Sequence, residues 1–141
     1  MNFSDEVQII HHMDPVPAGT SDQHGLAGID MAGFDGVMFM ADIGALSPNQ
    51  VTRLQVQGSD DNLTFNPFAT DASTPVMDDA DSNKCLVVDI FRPVTRYVRA
   101  TVQRGTANAV IDCVIAILYR RDKKPVVQGS SVSQIAAFVS P

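Results

Sequence analysis

Polar and apolar side chains alternate with a period of two along several segments of the chain. These segments are Glu6–Ile9, Val51–Gln57 and Arg96–Arg104. Successive side chains of a β-strand point to opposite faces, so the alternation predicts strands with one buried and one exposed face. In the second segment it places Leu54 and Val56 on the buried face.

Three other segments are apolar almost without interruption. They are Gly36–Ala41, Cys85–Phe91 and Val110–Tyr119, and they are rich in β-branched residues. Such runs are typical of strands that are covered on both faces. We therefore expect these three strands at the centre of the fold.

Turn-forming clusters separate the predicted strands at short and fairly regular intervals. They are Pro15–Gly19, Gly33–Gly36, Gly44–Asn49, Gly58–Asn62, Asp78–Asn83 and Gly105–Asn108. No segment has a 3.6-residue period long enough for a core helix. The pattern predicts an all-β protein of about eight strands, an antiparallel β-sandwich of the jelly-roll type with extended termini. The expected core comprises Val37, Phe39, Leu54, Val56, Val88, Ile90, Val98, Ile111, Ile115 and Ile117.

The C-terminal segment changes character after the basic run that ends at Pro125. A polar Gly/Ser stretch leads into a small apolar patch, Ile135–Val139. We therefore predict a sandwich domain over residues 1–125 and a separate segment over residues 126–141. That segment is either an arm that docks on a neighbouring subunit or a last strand of the same sandwich.

Composition and charge narrow the functional classes. The chain has 141 residues, 45% of them hydrophobic, and a net charge of −6. No apolar run approaches the roughly 20 residues of a membrane span, and the first residues lack a basic and then apolar leader, so we expect neither a membrane segment nor secretion. A chain with a net negative charge is also a poor candidate for a nucleic-acid-binding protein.

The charge is distributed unevenly along the chain. Residues 1–83 carry thirteen acidic side chains and one basic one, whereas residues 84–141 carry nine basic and three acidic ones. Two interpretations remain open. The halves either present complementary faces that orient docking onto other molecules, or they mix in the folded sheet and cancel.

The sequence offers two weak candidates for a metal site. His11, His12, Asp14 and His24 form one cluster, but adjacent histidines in a strand point to opposite faces. The stretch Asp79–Asn83 places oxygen ligands at Asp79, Asp81 and Asn83, as a calcium loop would, but it lacks the later glycine and glutamate. We predict no transition metal and no cofactor. We interpret the acidic stretch as a hairpin turn, and calcium binding by Asp79, Asp81 and Asn83 stays open as the alternative.

Neither a catalytic motif nor a reactive thiol is indicated. The chain contains no G-x-S-x-G, no phosphate-binding glycine loop and no H-E-x-x-H motif, so we predict that it is not an enzyme. Cys85 and Cys113 lie far apart inside apolar runs. We expect both to be reduced core residues.

Three stretches together resemble the capsid decoration, or cement, proteins of tailed bacteriophages. They are Met31–Gly44, Val56–Phe65 and the region from Arg96 to Asp112. The resemblance implies a virion protein without catalytic activity, assembled in the host cytoplasm. Such a protein sits on the capsid exterior, often as a homotrimer, binds the major capsid protein and clamps neighbouring capsomers.

Part of the same region also resembles discoidin-like carbohydrate-binding jelly rolls. The similar stretches are Gln57–Phe65 and Arg96–Arg99. This supplies the alternative function, a glycan-binding module. Such modules stack exposed aromatic side chains on sugars, whereas this chain has no Trp and has its two tyrosines, Tyr97 and Tyr119, inside strands.

A decoration protein needs surfaces that bind its own copies and the shell. Arg96 and Arg99 fall on opposite faces of one strand, and we predict that this basic strand contributes to subunit contacts. Shell contacts are expected from residues 2–10 and from the C-terminal segment. The candidate interface residues are Arg96, Arg99, Val126, Val127, Ile135, Phe138 and Val139.

Overall fold

The computed structural model describes residues 1–68 and 74–139 and confirms the all-β prediction. The described residues form one short 3-10 turn, Phe3–Asp5, and ten strands. The strands are β1 (Gln8–Met13), β2 (Val16–Gly19), β3 (Gln23–His24), β4 (Ile29–Asp30), β5 (Phe34–Leu46), β6 (Val51–Ser59), β7 (Asn66–Pro67), β8 (Cys85–Phe91), β9 (Tyr97–Gly105) and β10 (Ala109–Arg121). Within these residues there is no helix long and apolar enough to cross a membrane.

The strands form two antiparallel sheets packed face to face. Sheet 1 has the order β1-β10-β5-β8, and β2 also pairs with β10. Sheet 2 has the order β3-β9-β6-β7, and β4 also pairs with β9. When β1 and β2 are counted as one strand and β3 and β4 as another, strands from early in the sequence lie beside strands from late in the sequence in each sheet. This interleaved order is that of a jelly roll.

The core lies between the two sheets and follows the predicted alternation on most strands. Among the expected core residues, Val37, Phe39, Leu54, Val56, Val98 and Ile111 are buried, and Val88 and Ile90 are partly buried against the same cluster. Each fully buried aliphatic or aromatic side chain contributes about 1.5–3 kcal/mol, so this layer is the main stabilising element of the sandwich.

The prediction was wrong for Ile115 and Ile117, because a β-bulge shifts the phase of β10. Ile111 lies opposite Ile43, whereas Cys113 lies opposite Asp42, so β10 advances two residues while β5 advances one. A bulge of this kind moves every later side chain to the other face. Beyond it the core receives Val114, Ala116 and Leu118, and Ile115 and Ile117 point outward.

Both cysteines are free, as expected, but their placement in the core was wrong. Cys85 is exposed on β8, and Cys113 is only partly buried just after the bulge. Both lie opposite Asp42 of β5, one on each side of it. Two thiols separated by an intervening strand have backbones about 9–10 Å apart, which is too far for a disulfide.

A buried arginine fastens the loop between β2 and β3 to the sandwich. Arg104 Nε donates to the carbonyl of Ser21 at 2.8 Å, and its Nη1 donates to the carbonyls of Pro17 at 2.9 Å and Ala109 at 2.7 Å. Its side chain is almost fully buried, and no carboxylate of the described residues forms a salt bridge with the guanidinium. Carbonyl acceptors replace the water that burial removes.

Candidate functional site

The three histidines lie in three different environments and form no cluster. His11 faces outward, half exposed, with Nε2 2.8 Å from Asp14 Oδ1. His12 points into the core, and His24 Nδ1 lies 2.8 Å from Thr101 Oγ1 on sheet 2. In the part of the chain that the structure describes, no three His, Cys, Asp or Glu side chains converge as metal ligands.

His12 joins the two sheets through a buried hydrogen bond. The backbone N–H of Ala100 in β9 donates to His12 Nε2 at 3.0 Å, and the ring packs against Phe39 with centroids 5.3 Å apart. Burial, and then the positive charges of Arg99 and His11, lower the pKa of His12 to about 4. The ring is therefore neutral at pH 7, with Nε2 as acceptor and the proton on Nδ1.

The carboxylates of the first acidic turn hold its own backbone and the turn that precedes β6. Asp79 accepts hydrogen bonds from the N–H of Asn49 at 2.8 Å and from Gln50 Nε2 at 3.2 Å. Asp81 accepts from the N–H of Asp78 and from Lys84 Nζ, both at 2.9 Å. These bonds lower the pKa of both carboxyls. Asn83 adopts a left-handed conformation with φ 63°, so the stretch has the geometry of a tight turn.

The second acidic turn, after β6, is built in the same way. Asp61 Oδ1 accepts from the N–H of Thr64 at 3.0 Å, from the N–H of Leu63 at 2.9 Å and from Ser59 Oγ at 2.8 Å. These bonds lower the pKa of Asp61 to about 2. The carboxylate acts here as an anchor for the turn backbone.

The two predicted interface arginines are both engaged within the chain. Arg96 forms a bidentate pair with Asp30 of β4, with nitrogen–oxygen distances of 3.1 and 2.9 Å. Arg99 Nε donates to Gln57 Oε1 at 2.9 Å, and its guanidinium lies 4.1 Å from the centroid of the Phe65 ring. Subunit contacts through these side chains would have to compete with existing partners.

The acidic and basic halves of the chain meet in the fold. Arg96 pairs with Asp30, Lys124 with Glu6 at 3.4 Å, and Arg120 lies 3.8 Å from Asp35. All these pairs join the acidic first half to the basic second half. The segregation seen in the sequence is thus partly cancelled, as one of the two interpretations expected.

The beginning of the C-terminal segment is attached to the sandwich. Gln128 Oε1 accepts from the N–H of Ile9 at 2.8 Å, and Nε2 donates to the carbonyls of Val7 at 2.7 Å and Ser4 at 3.0 Å. The N–H of Val126 donates to the carbonyl of Asp5 at 2.7 Å. One carboxamide thus covers free backbone groups of the edge strand β1, which discourages pairing with other chains.

The remainder of the segment exposes its apolar side chains. Val126 is buried against the N-terminal residues, but Val127 is exposed, as are Ile135 (52%), Phe138 (84%) and Val139 (88%). Residues 126–139 contain no strand, and residues 140 and 141 lie outside the described residues. Of the predicted interface residues here, Val126 is thus occupied within the chain and the other four are accessible.

Sequence reasoning did not identify the outer face of sheet 1 as a surface. Its apolar patch comprises Ile9, Met38, Met40, Val87, Ile115 and Ile117. Beside it, the Tyr119 ring lies across Gly36, where a Cβ would clash with it, and the Tyr119 hydroxyl donates to Asp89 at 2.5 Å. The uninterrupted apolar runs of β5, β8 and β10 were the signal for this face.

Comparisons with known proteins give a fold but not a family. No protein-family model matches the chain, and no curated protein matches it in sequence. Among solved structures, the fold is similar to that of the PBSX exported protein XepA, with a TM-score of 0.56 at 16% identity. The similarity covers 99% of this chain and 45% of XepA, so the chain spans less than half the length of that protein.

Proposed function

We propose that the chain is a structural protein of a tailed-phage virion that binds the exterior of the assembled capsid through the major capsid protein. The support is threefold: the sequence resembles decoration proteins, the jelly-roll fold is similar to that of a phage PBSX exported protein, and the C-terminal segment displays unburied apolar side chains. The last observation carries the proposal.

The C-terminal segment has the two properties that a clamp requires. Its start is fixed to β1 by Gln128, and its end presents Ile135, Phe138 and Val139 outside any strand. Apolar side chains in water are unfavourable, and burying Ile135 and Phe138 on a partner contributes about 1.5–3 kcal/mol each before ordering costs. In an oligomer of the chain, several linked segments would bind the shell together and gain affinity through avidity.

The test is co-sedimentation with capsid shells assembled from the major capsid protein of the same phage. We expect the wild-type chain to sediment with shells and the double variant Ile135→Asp/Phe138→Asp to remain in the supernatant. Leu63→Asp is the matched control, because Leu63 is as exposed as Phe138 but lies in the turn after β6. Deletion of residues 129–141 spares Gln128 and should also abolish binding.

Two outcomes would contradict the proposal. One is that the double variant and the deletion of residues 129–141 both sediment with shells as the wild-type chain does, since the binding surface would then lie elsewhere. The other is no shell binding by the wild-type chain together with specific retention on a glycan array, which is the behaviour of the carbohydrate-binding alternative.

The homotrimer implied by the resemblance stays a prediction. Its expected contacts include Arg96 and Arg99, and both are hydrogen-bonded within the chain. If they also join subunits, Arg99→Ala should lower the oligomer mass measured by sedimentation equilibrium without changing the far-UV circular dichroism spectrum.

A further inference from the structure

The outer face of sheet 1 carries a continuous apolar patch that nothing in the described chain covers. Ile9, Ile117 and Met38 lie side by side on β1, β10 and β5, and Ile115 and Met40 form the adjacent row, which Val87 of β8 extends. Val87 is 44% exposed. Cross-strand neighbours pack against each other, so the two rows form one surface.

The outer face of sheet 2 is polar instead, although Gln55 and Thr101 on it are buried. There β6 and β9 present paired polar side chains, with Gln57 bonded to Arg99 and Gln55 bonded to Gln103 at 3.2 Å. An antiparallel sheet with one face in water normally alternates in this way. The apolar runs of β5, β8 and β10 instead predict strands covered on both faces, and the described residues cover only one face.

Charged side chains flank the apolar patch with opposite signs at its two ends. Asp42 and Asp112 lie beside Cys113 at the end near the bulge, and their charges together with burial raise the pKa of that thiol. At the other end, the guanidinium groups of Arg92 and Arg120 lie 5.1 and 5.2 Å from the centroid of the Phe91 ring. Asp35 near Arg120, and Asp89 opposite Met38, offset this positive charge at the same end.

We propose that this face is a two-fold interface between two copies of the chain. A two-fold axis that lies in the interface plane, perpendicular to β10 and level with Ala116, stacks the apolar patches and runs the two β10 strands antiparallel. The same rotation places the acidic end of each copy on the basic end of the other. A face with opposite charges at opposite ends complements itself under a two-fold rotation, as an isologous interface requires.

The size of the face fits a second copy of this chain. Four strands about 4.8 Å apart and about 25 Å long give a projected area of roughly 500 Å² per copy, at the small end of specific interfaces. Such an interface forms an even-numbered oligomer, in contrast to the homotrimer that the family resemblance implies. The inference is independent of the proposed function, because it uses neither the C-terminal segment nor a capsid.

The first test is the mass in solution, measured by sedimentation equilibrium up to about 100 µM protein. We expect a dimer, or an even-numbered oligomer, that dissociates in Ile117→Glu with at least a tenfold weaker association constant. Gln103→Glu is the matched control on the outer face of sheet 2 and should leave the mass unchanged. Circular dichroism checks that both variants stay folded.

The second test uses charge reversal and is specific to the two-fold arrangement. Asp112→Arg and Arg120→Asp should each weaken dimerisation about tenfold, and the double variant should recover most of the loss. The two positions lie about 25 Å apart in one chain, well beyond the screening length of about 8 Å at physiological salt. Recovery can therefore come only from contact between copies.

Several results would overturn the inference. They are a monomer throughout the concentration range, an oligomer that Ile117→Glu leaves intact, or charge-reversed variants whose effects add instead of compensating. The shell-binding variants Ile135→Asp/Phe138→Asp should keep the dimer, so failure of the proposed function and failure of this interface give different results.

Discussion

Titration of His12 should produce a distinct acid-induced loss of stability. The ring is buried between the sheets, and its pKa falls to about 4 from 6.5. A buried base with a lowered pKa stabilises the folded state in its neutral form, and this contribution is fully present above pH 6.5. This contribution is lost as the pH falls from 6.5 to 4, because the unfolded chain binds the proton first. At about 1.4 kcal/mol per pKa unit, the loss amounts to about 3 kcal/mol.

The assay is urea denaturation at intervals between pH 7 and pH 4, with the free energy of unfolding extrapolated to water. In the variant His12→Gln, an amide oxygen replaces Nε2 as the acceptor for the Ala100 N–H, and no proton binds in this range. We expect this variant to lose most of the step, with a smaller remainder from His24, whose pKa is also lowered by burial. His11→Gln is the matched control, because His11 is the adjacent, half-exposed histidine, and it should retain the wild-type step.

The carboxylates with lowered pKa act in a different pH window. Asp30, Asp61, Asp79 and Asp81 stabilise the folded chain above their ordinary pKa of 3.8, and this contribution is lost only as the pH falls further. The two effects therefore separate near pH 4. If His12→Gln retains the full step between pH 6.5 and 4, the argument from burial of His12 is refuted.

Three further predictions concern stability at pH 7, each measured by urea denaturation. Arg104→Met should cost about 3 kcal/mol, because it removes the buried donors that hold three carbonyls; a loss below about 1 kcal/mol would mean that water replaces them. Thr52→Val should be neutral or stabilise by up to about 1 kcal/mol, since Thr52 Oγ1 is buried without a partner among the described residues; a clear loss would show that this hydroxyl is hydrogen-bonded. Gly25→Ala should destabilise by about 1–3 kcal/mol, because its Cβ would lie 1.9 Å from His12 Nε2. Wild-type stability in Gly25→Ala would show that the ring can move aside.

The sequence by itself determined the fold class and most of the inward-facing positions. Strict alternation in β6 and β9 identified Leu54, Val56 and Val98 correctly, and it placed Arg99 on the opposite face from Val98. The Asp and Asn clusters marked turns because these side chains bond to nearby backbone amides, as Asp61 and Asp81 do. Period and turn chemistry are local properties, so they can be read without the tertiary structure.

Tertiary structure decided the features that depend on strand partners. The bulge after Ile111 turned Ile115 and Ile117 outward, and Asp112, the one charged residue in this apolar run, would face outward with or without an inserted residue. The role of His12 as an acceptor depends on Ala100, which is 88 residues away along the chain. Register, bulges and cross-sheet hydrogen bonds arise between strands far apart in sequence, so they exist only once the two sheets have paired and packed.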